Sequence, residues 1–170
     1  MIFKSKKHNS ELYNTLLTLS RNIFFYKTLK LKDDFETRIY LMFIHFSILM
    51  IISKKKGIKF DQSSYDSLFF SIEYNLRELG FGDVSVNKKM KDLNKLLYDI
   101  LLKIEVSGSE RFNISKKLII KYFKDFNSDK NSNYLHFERY FLDFYNFCFE
   151  LPVDNMILGA LDFKKSYGCT

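Results

Sequence analysis

Five charged residues lie close together in the sequence, around a turn that is predicted to join two helices. They are Arg77, Glu78, Asp83, Lys88 and Lys89, within the segment EYNLRELGFGDVSVNKKM. Their chemistry is ionic, because they can pair with one another across the turn or with a charged partner molecule. Two interpretations are open and compatible: a structural network that fixes the turn, and a docking surface for a partner.

Glycine and serine residues predict the geometry of this turn. Gly80 ends a helix-like run, where a left-handed C-cap favours a residue without a Cβ. Gly82 adds a second permissive position, and Ser85 is a good N-cap for the next helix. This register places Lys88 and Lys89 in the first turn of that helix, where each cation opposes the helix dipole at a cost of roughly 0.3–1 kcal/mol. Such a placement fits two interpretations equally: a role for the two lysines outside helix stability, and two ordinary solvated lysines.

Residues that could catalyse a reaction or bind a metal ion are scattered. His8, His45 and His136 are far apart, and no H-x-x-x-H, C-x-x-C or acidic cluster is present. The G-x-G at Gly80 and Gly82 lacks the third glycine and the preceding strand of a dinucleotide-binding fingerprint. We therefore expect no catalytic residue, no metal site and no cofactor. His45, in an apolar segment, is expected to be a hydrogen-bonded core histidine.

The segment from Tyr134 to Phe149 is rich in phenylalanine and tyrosine. Most of these rings are expected in the core. One helix cannot direct all of them inward, so some of Tyr134, Tyr145 and Phe149 are expected near the surface. An exposed aromatic patch would suit an apolar client chain or a partner helix. Aromatic rings interleaved with lysine also suit single-stranded RNA, although no RNP-type motif is present.

The composition predicts a helical, basic protein. A chain of 170 residues with six glycines and one proline favours one helical domain. The net charge of +7 indicates an acidic partner, namely nucleic acid, anionic lipid or an acidic protein face. Biased nucleotide composition explains the lysine excess equally well. Cys148 and Cys169 are isolated, which indicates a reducing compartment, and the N-terminal residues lack the apolar region of a signal peptide.

Periodic apolar residues predict an all-α, single-domain, irregular bundle of about six to seven helices. The helical domain is expected over residues 10–163, with a flexible basic N-terminus at 1–9 and a C-terminal tail at 164–170. A first helix should start near Ser10 and follow an apolar stripe to Tyr26.

A long second helix is expected from about residue 34 to 55, hydrophobic nearly all round and therefore surrounded by other helices. Its apolar run is too short to span a bilayer comfortably. Asp33 and Glu36 have the spacing of a capping box at its start, and Asp34 and Arg38 have the spacing of an ion pair.

Five further helices are expected after the second. Their signals are a cap at Asp61 or Ser63, stripes through Met90–Ile104, Leu118–Phe126 and Phe137–Cys148, and Pro152 before a last helix at 153–162. The segments VSGSERFN and NSDKNSN are expected to be polar breaks, and no convincing β-hairpin is predicted.

Three motifs occur in the same order as in the ubiquinol–cytochrome c chaperone family. LRELGFGDVSVNKKM resembles the family's central motif, which has the form LRE-hydrophobic-G-hydrophobic-GD followed by V-x-K. RNIFFY, from Arg21 to Tyr26, resembles the family's R-x-x-x-x-Y. DDFETR, from Asp33 to Arg38, resembles its D-x-F-x-x-R, and His45 falls where a histidine often follows. The resemblance covers about residues 12–104, and Leu151–Phe163 is like the end of bacterial members.

The chain also departs from this pattern. The family usually has an aspartate at the position of Glu73, and only Tyr98 remains of its F-Y-G-R. The resemblance implies that a set of motif residues binds the partner: Arg21, Tyr26, Asp33, Arg38, Arg77, Glu78, Gly80, Gly82, Asp83, Lys88 and Lys89.

The resemblance implies an assembly chaperone for cytochrome b, a membrane subunit of the ubiquinol–cytochrome c reductase (bc1) complex. Its partners would be cytochrome b or its assembly intermediates, with the ribosome, the membrane surface and a small partner protein as further contacts, and no DNA. A bacterial cytoplasmic protein is expected because no mitochondrial presequence is visible, and a peripheral position at the inner face of the membrane is the second expected location. The alternatives are a ribosome- or RNA-associated factor that docks through its lysines and, least favoured, an enzyme of unknown reaction.

Overall fold

Helices account for most of the chain, which confirms the predicted all-α class. The computed structural model describes residues 10–107, 111–126 and 133–167. The helices are α1 (Glu11–Ser20), α2 (Phe35–Lys55), α3 (Gln62–Glu78), α4 (Asp83–Lys103), α5 (Lys116–Tyr122), α6 (Asn133–Phe149), α7 (Met156–Gly159) and α8 (Phe163–Tyr167). The other described elements are a π-helical turn (Phe24–Thr28), three 3-10 turns (Lys124–Phe126, Val153–Asn155, Ala160–Asp162) and a hairpin of β1 (Ile104–Ser107) and β2 (Arg111–Ile114).

Helix α2 is central, as its apolar sequence predicts. It packs against α1, α4 and α6, and every residue from Leu41 to Leu49 is buried. Within the described ranges it is the one helix long and apolar enough to cross a membrane, with a mean hydropathy of 1.6. Of that apolar window, 61% is buried inside the protein, which is the environment of a core helix.

The start of α2 differs from the predicted capping box by one residue. Asp34, not Asp33, is the N-cap, because its extended backbone lets Oδ1 accept the N–H of Thr37 at 2.9 Å. Asp33 is then left outside the helix and pairs with Arg38 at 3.0 Å, so the predicted Asp34–Arg38 pair is wrong. Gly57, at φ +70°, follows the basic last turn of α2 as a left-handed stop.

Helix α1 starts as predicted and ends earlier. The Ser10 side chain accepts the N–H of Tyr13 at 3.1 Å and caps it, but the helix stops at Ser20. Asn22 then accepts the N–H of Phe24 at 3.1 Å and begins the π-helical turn. This change of geometry buries Phe25 completely and leaves Ile23, which lies four residues after the buried Leu19, 45% exposed.

An aromatic cluster between α2 and α6 encloses His45, which confirms the predicted core histidine. His45 Nδ1 donates to the Leu41 carbonyl at 2.7 Å, so Nε2 accepts from the Tyr140 hydroxyl at 3.0 Å. Burial lowers the pKa of His45 to about 3, so the ring is neutral. The rings of Phe141 and Phe144 lie 4.8 Å from the imidazole centre.

Strands β1 and β2, at the predicted polar break after α4, pair as an antiparallel hairpin. The sequence analysis predicted no β-hairpin, and this prediction is wrong. Ile104 pairs with Ile114, and Val106 pairs with Phe112. Inward and outward side chains alternate, which buries Ile104 and Phe112 and leaves Glu105 exposed. Phe112 stacks on Tyr145 at 5.2 Å, so Tyr145 is buried rather than near the surface, whereas Tyr134 and Phe149 are half-buried.

The C-terminal region contains short turns where one helix, 153–162, is predicted. Pro152 precedes the first 3-10 turn, and α7, a second 3-10 turn and α8 follow. Residues 164–167, assigned above to the tail, belong to α8, and Tyr167 packs against Tyr140 with ring centres 5.0 Å apart. Parts of four predicted segments lie outside the described residues: the flexible N-terminus at 1–9, the first polar break at 108–110, the second polar break at 127–132 and the C-terminal tail at 168–170.

Candidate functional site: the motif turn and its groove

Residues 79–83 form the motif turn, a Schellman-type end of α3 followed at once by α4. The N–H of Phe81 donates to the Leu76 carbonyl at 3.3 Å, and the N–H of Gly80 donates to the Arg77 carbonyl at 2.9 Å. Gly80 has φ +90°, which confirms the predicted left-handed position. The backbone therefore reverses within three residues and places the two helices side by side.

Helix α4 begins earlier than Ser85 predicts. Gly82 is the N-cap and Asp83 is the first helical residue, where its carboxylate is favoured by the helix dipole. Lys88 and Lys89 consequently lie in the second turn, so their predicted first-turn position is wrong and the dipole argument does not apply to them. Lys88 is exposed, as is Glu78 at the end of α3.

Arg77 connects the two helices across the motif turn. Its guanidinium pairs with Glu73 at 2.9 Å along α3 and with Asp83 at the start of α4. The Asp83 and Glu73 carboxylates raise the pKa of Arg77 further above its usual value. Because all three side chains are solvent-accessible, these ion pairs fix the geometry of the turn more than they stabilise the fold.

Three apolar side chains project into solvent from the motif turn and the first turn of α4, and together they form the apolar tip. Leu79 is 60% exposed, Phe81 38% and Val84 84%. Lys89 Nζ lies 4.6 Å from the centre of the Phe81 ring and stabilises its position by a cation–π contact. Leu79 follows the buried residues Ile72 and Leu76 at helical spacing, yet it is a surface residue.

Leu79 and Phe81 of the apolar tip line an open groove of about 950 Å³, and Val84 is not part of its lining. Buried Ile39, Leu76 and Leu96 contribute to its lining, together with Phe35, Tyr40, Leu79, Phe81, Leu93 and Tyr122. The charged lining residues are Glu36, Lys89, Asp92, Lys95, Asp99 and Lys121. This motif groove thus combines an apolar interior with charges of both signs, and α2, α3, α4 and α5 all contribute to it.

Asp99 joins α4 to α5 at the motif groove. Lys103 donates to it at 2.5 Å, Lys121 at 2.9 Å and the Tyr122 hydroxyl at 2.5 Å. Partial burial alone would raise the pKa of Asp99, but these hydrogen bonds outweigh it and hold the pKa well below its ordinary value. The carboxylate is therefore ionised and fully engaged in positioning α5.

Comparison with known families decides the class of the protein. The family model described as ubiquinol-cytochrome C chaperone matches residues 27–118, more than half of the chain. The protein belongs to the ubiquinol-cytochrome C chaperone family. No curated protein and no solved structure matches the chain. Membership of this chaperone family supports a role in assembly of the bc1 complex and implies a protein partner in that process.

The matched region of this chaperone contains nearly all of the motif groove. It runs from the π-helical turn through α2, α3, α4 and the hairpin into α5, and only Lys121 and Tyr122 of the groove lie beyond it. Arg77, Glu78, Gly80, Gly82, Asp83, Lys88 and Lys89 are brought together around the motif turn.

The other candidate residues form a second cluster at the π-helical turn. The Tyr26 hydroxyl donates to the Ser20 carbonyl at 2.7 Å, and burial, with the nearby Asp33 carboxylate, raises its pKa to about 12. Arg38 pairs with Asp33, and Arg21 is the exposed C-cap of α1. Tyr26 and the Asp33–Arg38 pair fix the chain next to the end of α1. Arg21 and Tyr26 lie outside residues 27–118, which the family model matches.

Sequence reasoning missed the far side of the groove, formed by Glu36, Tyr40, Asp99 and Tyr122. The one local signal was the i,i+4 spacing of Asp99 and Lys103, which is typical of any surface ion pair. Across the described ranges, no group of three or more histidine, cysteine or acidic side chains could hold a metal ion.

Proposed function

We propose that this protein is an assembly chaperone that binds an apolar segment of cytochrome b, or of its assembly intermediates, in the motif groove. It acts by protein binding rather than by catalysis. The observation that carries the proposal is the exposure of Leu79 and Phe81, the two hydrophobic positions of the family's central motif. Hydrophobic motif residues that do not pack in the core are available to contact another chain.

The shape and chemistry of the motif groove support a protein client. Its apolar interior, with Leu76, Leu93 and Leu96, suits the hydrophobic side chains of a membrane subunit before that subunit is inserted or assembled. Exposed Glu36, Asp92 and Lys95 at the same groove can pair with the polar residues that flank such a segment. Lys89 lies over the ring of Phe81 and stabilises this part of the apolar tip by a cation–π contact.

A deletion and complementation experiment tests this proposal. In a cell that carries this gene and a bc1 complex, deletion should lower the assembled complex while cytochrome b message stays intact. The wild-type gene should restore assembly, and the protein should co-purify with cytochrome b or its intermediates. The double variant Leu79→Ser/Phe81→Ser should fold and fail to restore assembly.

Ile58 provides the matched control, because it is 43% exposed and lies outside the motif groove. Ile58→Ser should restore assembly as well as the wild type does. Normal bc1 levels in a clean deletion, without a second copy of the gene, contradict the proposal. Full restoration by the double variant contradicts the assignment of the groove.

A further inference from the structure

One side of α4 is exposed along the whole helix. Its residues follow each other at spacings of four and three, which places them on a single helical face: Val84, Lys88, Lys91, Lys95, Tyr98 and Leu102. Val84 is 84% exposed, Tyr98 58% and Leu102 80%, and the three lysines are exposed as well. The opposite side, with Val86, Leu97 and Ile100, is buried. We refer to the six exposed residues as the α4 ridge.

The α4 ridge is cationic in the middle and apolar towards its ends. It contains three lysines and no acidic residue. On the side towards the motif groove, Asp99 is already paired with Lys103 and Lys121. Asp92 is exposed on that side and offsets at most one of the three charges. The ridge from Val84 to Leu102 is about 27 Å long, because each helical residue advances 1.5 Å.

We propose that the α4 ridge docks on the surface of an anionic lipid bilayer, with α4 parallel to the membrane plane. Lys88, Lys91 and Lys95 can lay their aliphatic stems along the surface and place their ammonium groups among lipid phosphates. Val84 and Leu102 enter the boundary of the acyl chains, and the amphipathic Tyr98 ring suits the interface. The ridge borders the client groove and shares Lys95 with it, and Val84 also belongs to the apolar tip. Docking on lipid does not depend on the client, because the vesicle experiment below contains no client.

Two other classes of partner fit the α4 ridge less well. A partner helix would have to bury three successive lysines at its centre, which is costly unless each one is paired. A nucleic acid would satisfy the lysines through its phosphates, but it offers no apolar partner to the most exposed aliphatic side chains, Val84 and Leu102. A bilayer surface satisfies both kinds of residue at once.

Vesicle sedimentation of the full-length protein tests the proposal. The protein should sediment with vesicles of phosphatidylcholine and phosphatidylglycerol and remain in solution with vesicles of phosphatidylcholine alone. The triple variant Lys88→Gln/Lys91→Gln/Lys95→Gln should lose on the order of 10²-fold in partition coefficient, since each lysine near an anionic surface contributes roughly fivefold. The triple variant Lys54→Gln/Lys55→Gln/Lys59→Gln removes the same charge from exposed lysines outside α4 and should lose much less.

A second variant separates lipid from nucleic acid. Val84→Asn/Leu102→Asn keeps every charge and should weaken vesicle binding, with an unchanged circular dichroism spectrum. Equal loss in both lysine variants would show attraction by net charge alone and would overturn the proposal. Failure of the wild type to bind anionic vesicles would also overturn it. So would tighter binding to single-stranded RNA that depends on Lys88, Lys91 and Lys95 and is indifferent to the apolar variant.

Discussion

The aromatic cluster around His45 and the motif turn use similar residues in opposite ways. In the cluster, Phe141 is completely buried and both nitrogens of His45 are hydrogen-bonded. At the motif turn, Leu79 and Phe81 face solvent, and ion pairs of Arg77 fix the backbone beneath them. The aromatic cluster therefore supplies stability, whereas the motif turn is a surface held by ion pairs, with apolar side chains that contribute little to the stability of the fold.

The largest effect expected from this comparison is on stability. Phe141→Ala should lower the free energy of unfolding by about 3–5 kcal/mol, because it leaves a cavity among Phe25, His45, Phe137 and Tyr140. The same change at Phe81 should cost less than about 1 kcal/mol, since that ring is already partly solvated. Urea denaturation of the two variants measures both values. Equal costs would show that Phe81 is a core residue.

The next effect is a dependence of stability on pH that arises in the buried cluster. The pKa of His45 is lowered to about 3, below the ordinary value near 6.5, so the unfolded chain takes up a proton first as pH falls. The contribution of neutral His45 is complete above pH 6.5 and decreases by about 1.4 kcal/mol per pH unit down to about pH 3.

His45→Gln should therefore flatten the slope of unfolding free energy against pH between about 6.5 and 4.5. The control is His136→Gln, at an exposed position of α6, which removes a histidine from the surface. Identical slopes in wild type and His45→Gln would contradict a neutral, buried imidazole.

At the motif turn, the largest cost of a substitution comes from the backbone. Gly80 has φ +90° and no neighbour near the position of a Cβ, so Gly80→Val should lose about 1–2 kcal/mol through conformation alone. Gly80→Asn should be milder, and Gly82→Ala, where φ is −74°, causes no such strain and should cost about 0.5 kcal/mol, because an N-cap position favours Gly over Ala. Thermal unfolding of the three variants checks this order, and equal stability of Gly80→Val and wild type would refute the left-handed cap.

The smallest effect distinguishes two adjacent lysines. Lys89→Gln removes the cation over the Phe81 ring and should cost about 0.5 kcal/mol, whereas Lys88→Gln should leave stability unchanged. A double-mutant cycle with Phe81→Leu measures the contact. A gain in stability in either variant would indicate that the lysine opposes the helix dipole from the first turn of α4, and would contradict the second-turn position.

Local signals in the sequence are enough for most of the fold. The caps at Ser10, Asp61 and Gly80 and the all-round hydrophobicity of α2 depend on neighbouring residues, and each is found in the structure. The register at the start of α4 was missed because Ser85 and Gly82 both suit an N-cap. Asp83 is then the first residue of α4, where the positive end of the helix dipole stabilises its carboxylate, and this selects the earlier start.

Features that depend on distant residues were not predictable. The hairpin strands are four residues each, too short for their alternation to stand out from a polar loop. Burial of Tyr145 requires Phe112 from that hairpin. The motif groove requires α2, α4 and α5 to converge, so the sequence predicted its motif turn and not its opposite wall.

Site-specific crosslinking tests the central claim most directly. A photoreactive phenylalanine analogue at position 81, in a cell that assembles the bc1 complex, should form a crosslink to cytochrome b. The same analogue at position 58, an exposed position outside the motif groove, should not. Cytochrome b captured at position 81 and absent at position 58 is the result this account predicts. Capture from both positions alike, or from neither, would contradict it.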